Sequence, residues 1–251
     1  HRRHRRVRPR HGHVRARRMS ATIPGQCDPT GSPAHARRPH TVLAGAIVAV
    51  IALLAAALLG YRLAGPNTPS DTSPEAGFAR DMQTHHNQAV QMALIVRDKT
   101  TDPALQAVTY DIVTSQQQQS GQMYAWLSMW RLPQTSTQPP MTWMAANPSH
   151  DMGTMPTGST MAPGSMLLQD GRMPGMATPA DLAKLKSSSG EDAETVFLNL
   201  MITHHTAGIA MARAIQPLTD RPEVLTLAKA VVTAQAAEID QLNTLLAART
   251  S

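Results

Sequence analysis

The sequence predicts an all-α protein: a four-helix bundle built from two copies of one helical hairpin, preceded by a single apolar helix. Three observations carry this expectation. Only 3% of residues are aromatic while 42% are hydrophobic, mostly Ala, Leu, Val and Met. Such a mix serves helices better than sheets, which draw on aromatic and β-branched side chains. The segment from Thr41 to Leu59, TVLAGAIVAVIALLAAALL, carries no charge, and the rest of the chain repeats itself at an offset of 119 residues.

The repeat defines the hairpins. Glu75, Phe78, Met82, Thr84, His85, His86 and Met92 align with Glu194, Phe197, Met201, Thr203, His204, His205 and Met211. The same offset pairs Pro103 with Pro222, Gln116 with Gln235, Gln119 with Glu238 and Leu127 with Leu246. Each copy reads as a motif helix, a short turn and a Pro-started partner helix, and two copies give the four helices of a bundle. Helix starts are legible. Ser73 before Pro74 and Asp102 before Pro103 each place an N-cap ahead of a Pro at the first helical position. Asp220 with Glu223 has the spacing of a capping box, opening a helix to Arg249 or near it. Glu191 to Ile215 should form another helix, stopped by Pro217, and Thr178-Pro179 should open a short one reaching the region of Lys186.

These signals divide the chain into a basic N-terminal region (1–40), an apolar transmembrane or signal segment (41–63), a linker (64–73), the first hairpin (74–132), a Met-rich insert (133–177), and a short helix with the second hairpin (178–251). The formal charge of +6 has to be partitioned. Residues 1–40 hold eleven Arg and one acid, Asp28, for a net of +10; the remainder has 12 basic and 16 acidic residues, a net of −4. A nucleic-acid-binding domain would carry basic charge within its fold, so no nucleic acid is expected on the folded part. The Arg-rich run 1–18 lacks apolar periodicity and reads as disordered. It is either sequence upstream of a start at Met19 or a basic arm. The lone cysteine, Cys27, permits no intrachain disulfide and lies upstream of the apolar segment. That segment is near the minimum length for a helical bilayer span. Arg37, Arg38 and His40 before it favour a cytoplasmic amino end and an extracytoplasmic domain. Leu63-Ala64-Gly65 offers small residues for a signal peptidase, but the long apolar run favours an uncleaved anchor over secretion after cleavage.

The insert holds eight Met (141, 144, 152, 155, 161, 166, 173 and 176) among Pro, Gly, Ser and Thr. Without helical or strand periodicity it should be a long loop or a disordered insert, its methionines outside the core. His150, Met152 and Met155, with Met173 and Met176, are spaced as a secondary soft-metal trap.

The chemistry lies on the repeated helix. At about 100° per residue, Glu75, Phe78, Met82, His85, His86, Ala89 and Met92 fall within an arc of roughly 120°, the width of a core-facing stripe. Its counterpart does the same, so Met82, His85, His86, Met92, Met201, His204, His205 and Met211 would converge in the bundle interior. Glu75, Glu194, Gln116, Gln235 and Glu238 would support them. Neutral imidazole and thioether are donors for soft ions, and thioether selects Cu(I) in particular. His85 and His86 point about 100° apart, so one ion should draw on a His of each hairpin, or two sites should form. A structural His cluster without metal is the bland alternative, because buried imidazole must be paired. A di-iron centre would need a Glu-x-x-His motif, which is absent. No catalytic nucleophile is recognisable.

The doubled F-x3-M-x2-H-H-x5-M with Gln235 and Glu238 on a partner helix resembles the secreted bacterial family known as domain of unknown function 305. The resemblance covers residues 74–248 outside the insert. It implies a ferritin-like four-helix bundle and, from some members, copper binding, with the eight residues above as ligands. Gln119 departs from the pattern where a Glu is expected. The resulting expectation is extracytoplasmic copper binding, Cu(I) foremost, in sequestration or hand-off rather than catalysis. A second copy of the chain or a copper-handling protein would be its protein partner. A non-catalytic interaction module and a di-iron or redox enzyme are the rival classes.

Overall fold

The computed structural model describes residues 39–64, 68–146 and 166–249. They form six α-helices: α1 (Pro39–Ala64), α2 (Pro74–Arg97), α3 (Pro103–Met129), α4 (Pro179–Ser187), α5 (Gly190–Ile215) and α6 (Pro222–Ala247). Two 3-10 turns, Thr142–Ala146 and Gln216–Leu218, complete the list. The chain divides into two compact units, 1–65 and 66–251.

In the first unit, side chains of α1 are described for 44–60, and every one of them is exposed. They include Ile47, Val48, Val50, Ile51, Leu53, Leu54, Leu58 and Leu59. Among the described residues no helix is long and apolar enough to cross a membrane; both ends of the expected 41–63 segment lie outside those whose side chains are described.

In the second unit α2 packs on α3, α5 on α6, and α2 on α5, with a lighter contact between α3 and α6 closing the ring. Helix starts follow local chemistry. The Ser73 side chain accepts from Ala76 N and the Asp102 side chain from Ala104 N, each ahead of a Pro in the first turn. Thr178 and Asp181 form a full capping box on α4. The capping box expected at Asp220 and Glu223 is not formed: Arg221 is the N-cap residue, without a side-chain cap bond. Thr219 Oγ1 takes the Arg221 N–H instead, at 3.2 Å.

That threonine belongs to a pair of matched latches. Thr219 Oγ1 donates to Glu75 at 2.8 Å, and Thr100 Oγ1 donates to Glu194. Thr100 and Thr219 are equivalent by the repeat, as are Glu75 and Glu194, so each hairpin's turn is tied to the N-terminal part of the other's motif helix. Arg249 reinforces the second latch, donating to Glu194 at 2.7 Å and to Asp102 at 2.6 Å.

The insert is where expectation and structure part. Met141, Met144 and Met173 are 1%, 0% and 5% exposed and sit in a core cluster with Phe78, Met82, Trp126 and Trp143, while Met166 and Met176 pack against it. These five methionines fill core from an aperiodic segment, because loop backbone can lay thioethers into a gap that no helix face reaches. Asp81 organises the segment. Its carboxylate accepts from Met141 N at 2.7 Å and from Trp143 Nε1 at 2.8 Å, and Trp143 meets Phe78 edge to face at 5.7 Å. Arg80 holds the preceding chain through Pro133 O and Asp71. His150, Met152 and Met155 lie outside the described residues.

Asp81→Ala should therefore lower the unfolding free energy by about 2–4 kcal/mol, since two donors lose their acceptor in a buried place. Urea denaturation would measure it, together with a Trp143 fluorescence change at low denaturant as the insert loosens.

Candidate metal centre

Helices α2 and α5 each carry their His-His pair near mid-helix, and packing turns all four rings inward. Met82 shares one apolar cluster with Met211, while Met92 shares the other with Met201, so the two helices run antiparallel. The imidazoles lie between these clusters as a polar layer, with two thioethers toward each end. His85, His86, His204 and His205 are all 0% exposed.

His85 and His204, equivalent by the repeat, stack with ring centroids 3.7 Å apart and planes tilted by 32°. His205 lies 6.3 Å from His204, ring to ring. The other two rings turn toward the partner helices. His86 Nε2 is 2.7 Å from Gln119 Oε1, and His205 Nε2 is 2.6 Å from Glu238 Oε2. Both nitrogens of His85 and His204, Nδ1 of His86 and His205, and both amide atoms of Gln116 and Gln235 are buried without a hydrogen-bond partner. Gly208 permits the close approach: a Cβ there would lie 2.4 Å from Gln235 Oε1 and 3.1 Å from His85 Cε1.

A strap from the insert covers the α2–α5 seam. Gln88 on α2 clamps Ala177, accepting from its N–H at 2.7 Å and donating to its carbonyl at 3.1 Å. Two residues earlier Gly175 presses on α5, where a Cβ would lie 2.4 Å from Ala207 Cβ and 3.4 Å from His204 Cα. Its φ of +78° is also left-handed, so glycine meets both demands at once. Met173 and Met176, expected outside the core as part of a secondary soft-metal trap, belong to this strap and pack inward.

Gln116, Gln235 and Glu238 thus lie in the polar layer. Glu75 and Glu194 do not: they serve the latches. Gln88, Gly175, Gly208 and Asp81 escaped the sequence reading; among them only Gly208, a glycine one turn from His204 inside a helix, left a readable sign.

Burial, then neighbouring imidazoles, hold the His85 and His204 pKa values well below the ordinary 6.5. Burial lowers that of His86 to about 4, against the opposing bond from Gln119. These three rings are therefore neutral at pH 7, the form that ligates metal. Among the described residues no three His, Cys, Asp or Glu side chains are grouped to hold one ion. Glu238 is, among the described residues, the one acid bonded to these imidazoles, fewer carboxylates than a di-iron centre draws on. What remains is paired imidazoles flanked by thioethers, a donor set for a soft ion that needs few ligands.

Stability follows from the same shifts. A group whose pKa is lowered by folding binds more protons unfolded, so stability falls as pH drops below the unfolded value. For His86 the window runs from about 6.5 to about 4, a loss on the order of 3 kcal/mol, and His85 and His204 add to it in the same direction. Denaturant midpoints of the metal-free protein across this range should fall steeply, and less steeply for His86→Gln.

The sequence profile of one family, Domain of unknown function (DUF305), matches residues 75–246. Among solved structures the chain is similar to a DUF305 protein of Streptomyces coelicolor described as secreted: 38% identity over 72% of this chain and 97% of that one, with a TM-score of 0.61. A DUF305 fragment from Deinococcus radiodurans gives 28% identity over 72% and 99% of the two chains, with a TM-score of 0.53. CopM in its Cu(I)-bound form gives 21% identity over 69% and 94%, with a TM-score of 0.48, a likeness too distant to bear on ligands here. No curated protein is a significant match. With the profile spanning more than half of its length, the chain belongs to the DUF305 family.

Proposed function

We propose that the bundle binds a soft metal ion, Cu(I) foremost, at the His layer, and serves in its sequestration or hand-off outside the cytoplasm rather than in catalysis. The observation that carries this reading is the set of orphaned nitrogens. Six imidazole nitrogens in one buried layer have no partner, where each unmet polar group costs about 1–3 kcal/mol. A structural His cluster would spend those nitrogens on hydrogen bonds, whereas a ligand set keeps lone pairs free. Thioethers of Met82, Met211, Met92 and Met201 flank the layer and favour the softer ion. With ring centroids 3.7 Å apart, the His85 and His204 rings leave no room for an ion between them, so binding there requires a side-chain rotation that parts them.

For location, the likeness to a secreted relative and the apolar surface of α1 favour an extracytoplasmic domain on a membrane-anchored helix. A helix apolar on every side is suited to lipid. Full-length protein should sediment with membranes and be released only by detergent; recovery in the soluble fraction would count against the anchor.

The metal reading makes opposite demands on stability and binding. His85→Leu with His204→Leu should raise the unfolding free energy of the metal-free protein by about 1–3 kcal/mol by removing unmet nitrogens, while reducing Cu(I) uptake and the thermal stabilisation it confers. Competition titration with a Cu(I) chelator, alongside melting curves, reads both. A less stable variant with unchanged uptake would favour the structural cluster, and with it an interaction module.

A further inference from the structure

We infer that Glu238 makes the two halves of the centre unequal, so that the His205 half takes up a soft cation before the His86 half. The inference rests on the soft-metal reading above and concerns how that site is ordered.

The repeat supplies an internal comparison. His86 and His205 are equivalent residues, both fully buried, each with Nε2 held by the residue 33 positions on and Nδ1 left without a partner. The two bonds, 2.7 and 2.6 Å, are nearly the same length. The difference is chemical: the holder is an amide at Gln119 and a carboxylate at Glu238.

Two consequences follow. An ionised carboxylate only accepts, so Glu238 requires the proton on Nε2 of His205 and leaves the Nδ1 lone pair facing the interior. An amide can turn either its oxygen or its nitrogen to the ring, so Gln119 tolerates both tautomers of His86. His205 is thus preset as a ligand and His86 is not. Charge adds to this. A cation on His205 has an anion one ring away, largely shielded from water, since Glu238 is 13% exposed. Among the described residues Glu238 is the only acid bonded to an imidazole of the layer, so a cation on His86 has no such compensation. A carboxylate behind a ligating histidine raises its basicity, and losing such a partner typically costs 10–100-fold in metal affinity. Glu238 is in this sense a positioning residue.

The test is a stepwise Cu(I) titration against a competing chelator on the full chain. The wild type should give two affinities separated by about 10–100-fold. Glu238→Gln should bring the tighter one down to the weaker, and Gln119→Glu should raise the weaker one. The gain in Gln119→Glu keeps the test independent of any damage done by the first variant. Nitrogen NMR of the imidazoles in metal-free protein gives a second readout. His205 should be protonated only at Nε2, and His86 should adopt that state in Gln119→Glu. Unchanged affinities in both variants, or a His205 proton on Nδ1, would overturn the inference. A wild-type chain that takes up no Cu(I) overturns the soft-metal reading and the order of filling with it, while the proton positions still report whether Glu238 presets its ring.

Discussion

A layer of four buried imidazoles between two apolar clusters is the constraint on which the rest of the bundle depends. Hydrophobic packing alone would favour leucine at those positions, since a neutral imidazole without a partner gives up hydrogen bonds to water and gains none. The fold absorbs that cost through its surroundings. Two clusters, one around Phe78 and Met82 and the other around Phe197 and Met201, supply apolar burial above and below. The layer also fixes alignment, because a one-turn slip between α2 and α5 would set imidazoles against aliphatic side chains.

The surrounding contacts keep that alignment by exploiting the duplication. The Thr219–Glu75 and Thr100–Glu194 bonds are copies of each other, so the two motif helices are held at both ends by one device. Three departures from symmetry fall at the middle. Gln119 stands against Glu238, Ala89 against Gly208, and Gln88 against Ala207. Each departure changes what reaches the imidazoles: a charge, an amide or a strap.

Much of this was legible in the sequence, for reasons that differ by element. The hairpins, their order and the inward stripe followed from a repeat whose period exceeds any helix and from Pro-started helices, both local signals. Those signals also turned the histidines of both hairpins toward the interior, without saying which would pair. The insert was misread because burial there is set by tertiary anchors, Asp81 and Gln88, which no periodicity announces; five of its methionines are core or packed against it. Asp220 and Glu223 had the spacing of a capping box, yet a long-range bond from Thr219 to Glu75 arranged the helix start differently. Glu75 and Glu194 share the stripe with the histidines, but eleven residues along a helix is about three turns, far enough to put them in a different contact.

The strap has a consequence for the order in which the chain assembles. Each hairpin closes through neighbours in sequence, the kind of contact that forms early, whereas Gln88 must find Ala177 across 89 residues, and such distant closures come late. The seam between α2 and α5 joins residues more distant still, since it pairs His85 with His204, so the seam and its cover both close after the hairpins. Newly made chains thus pass through a stage in which each hairpin has formed while its histidines lack the facing pair, and docking of the two halves ends it.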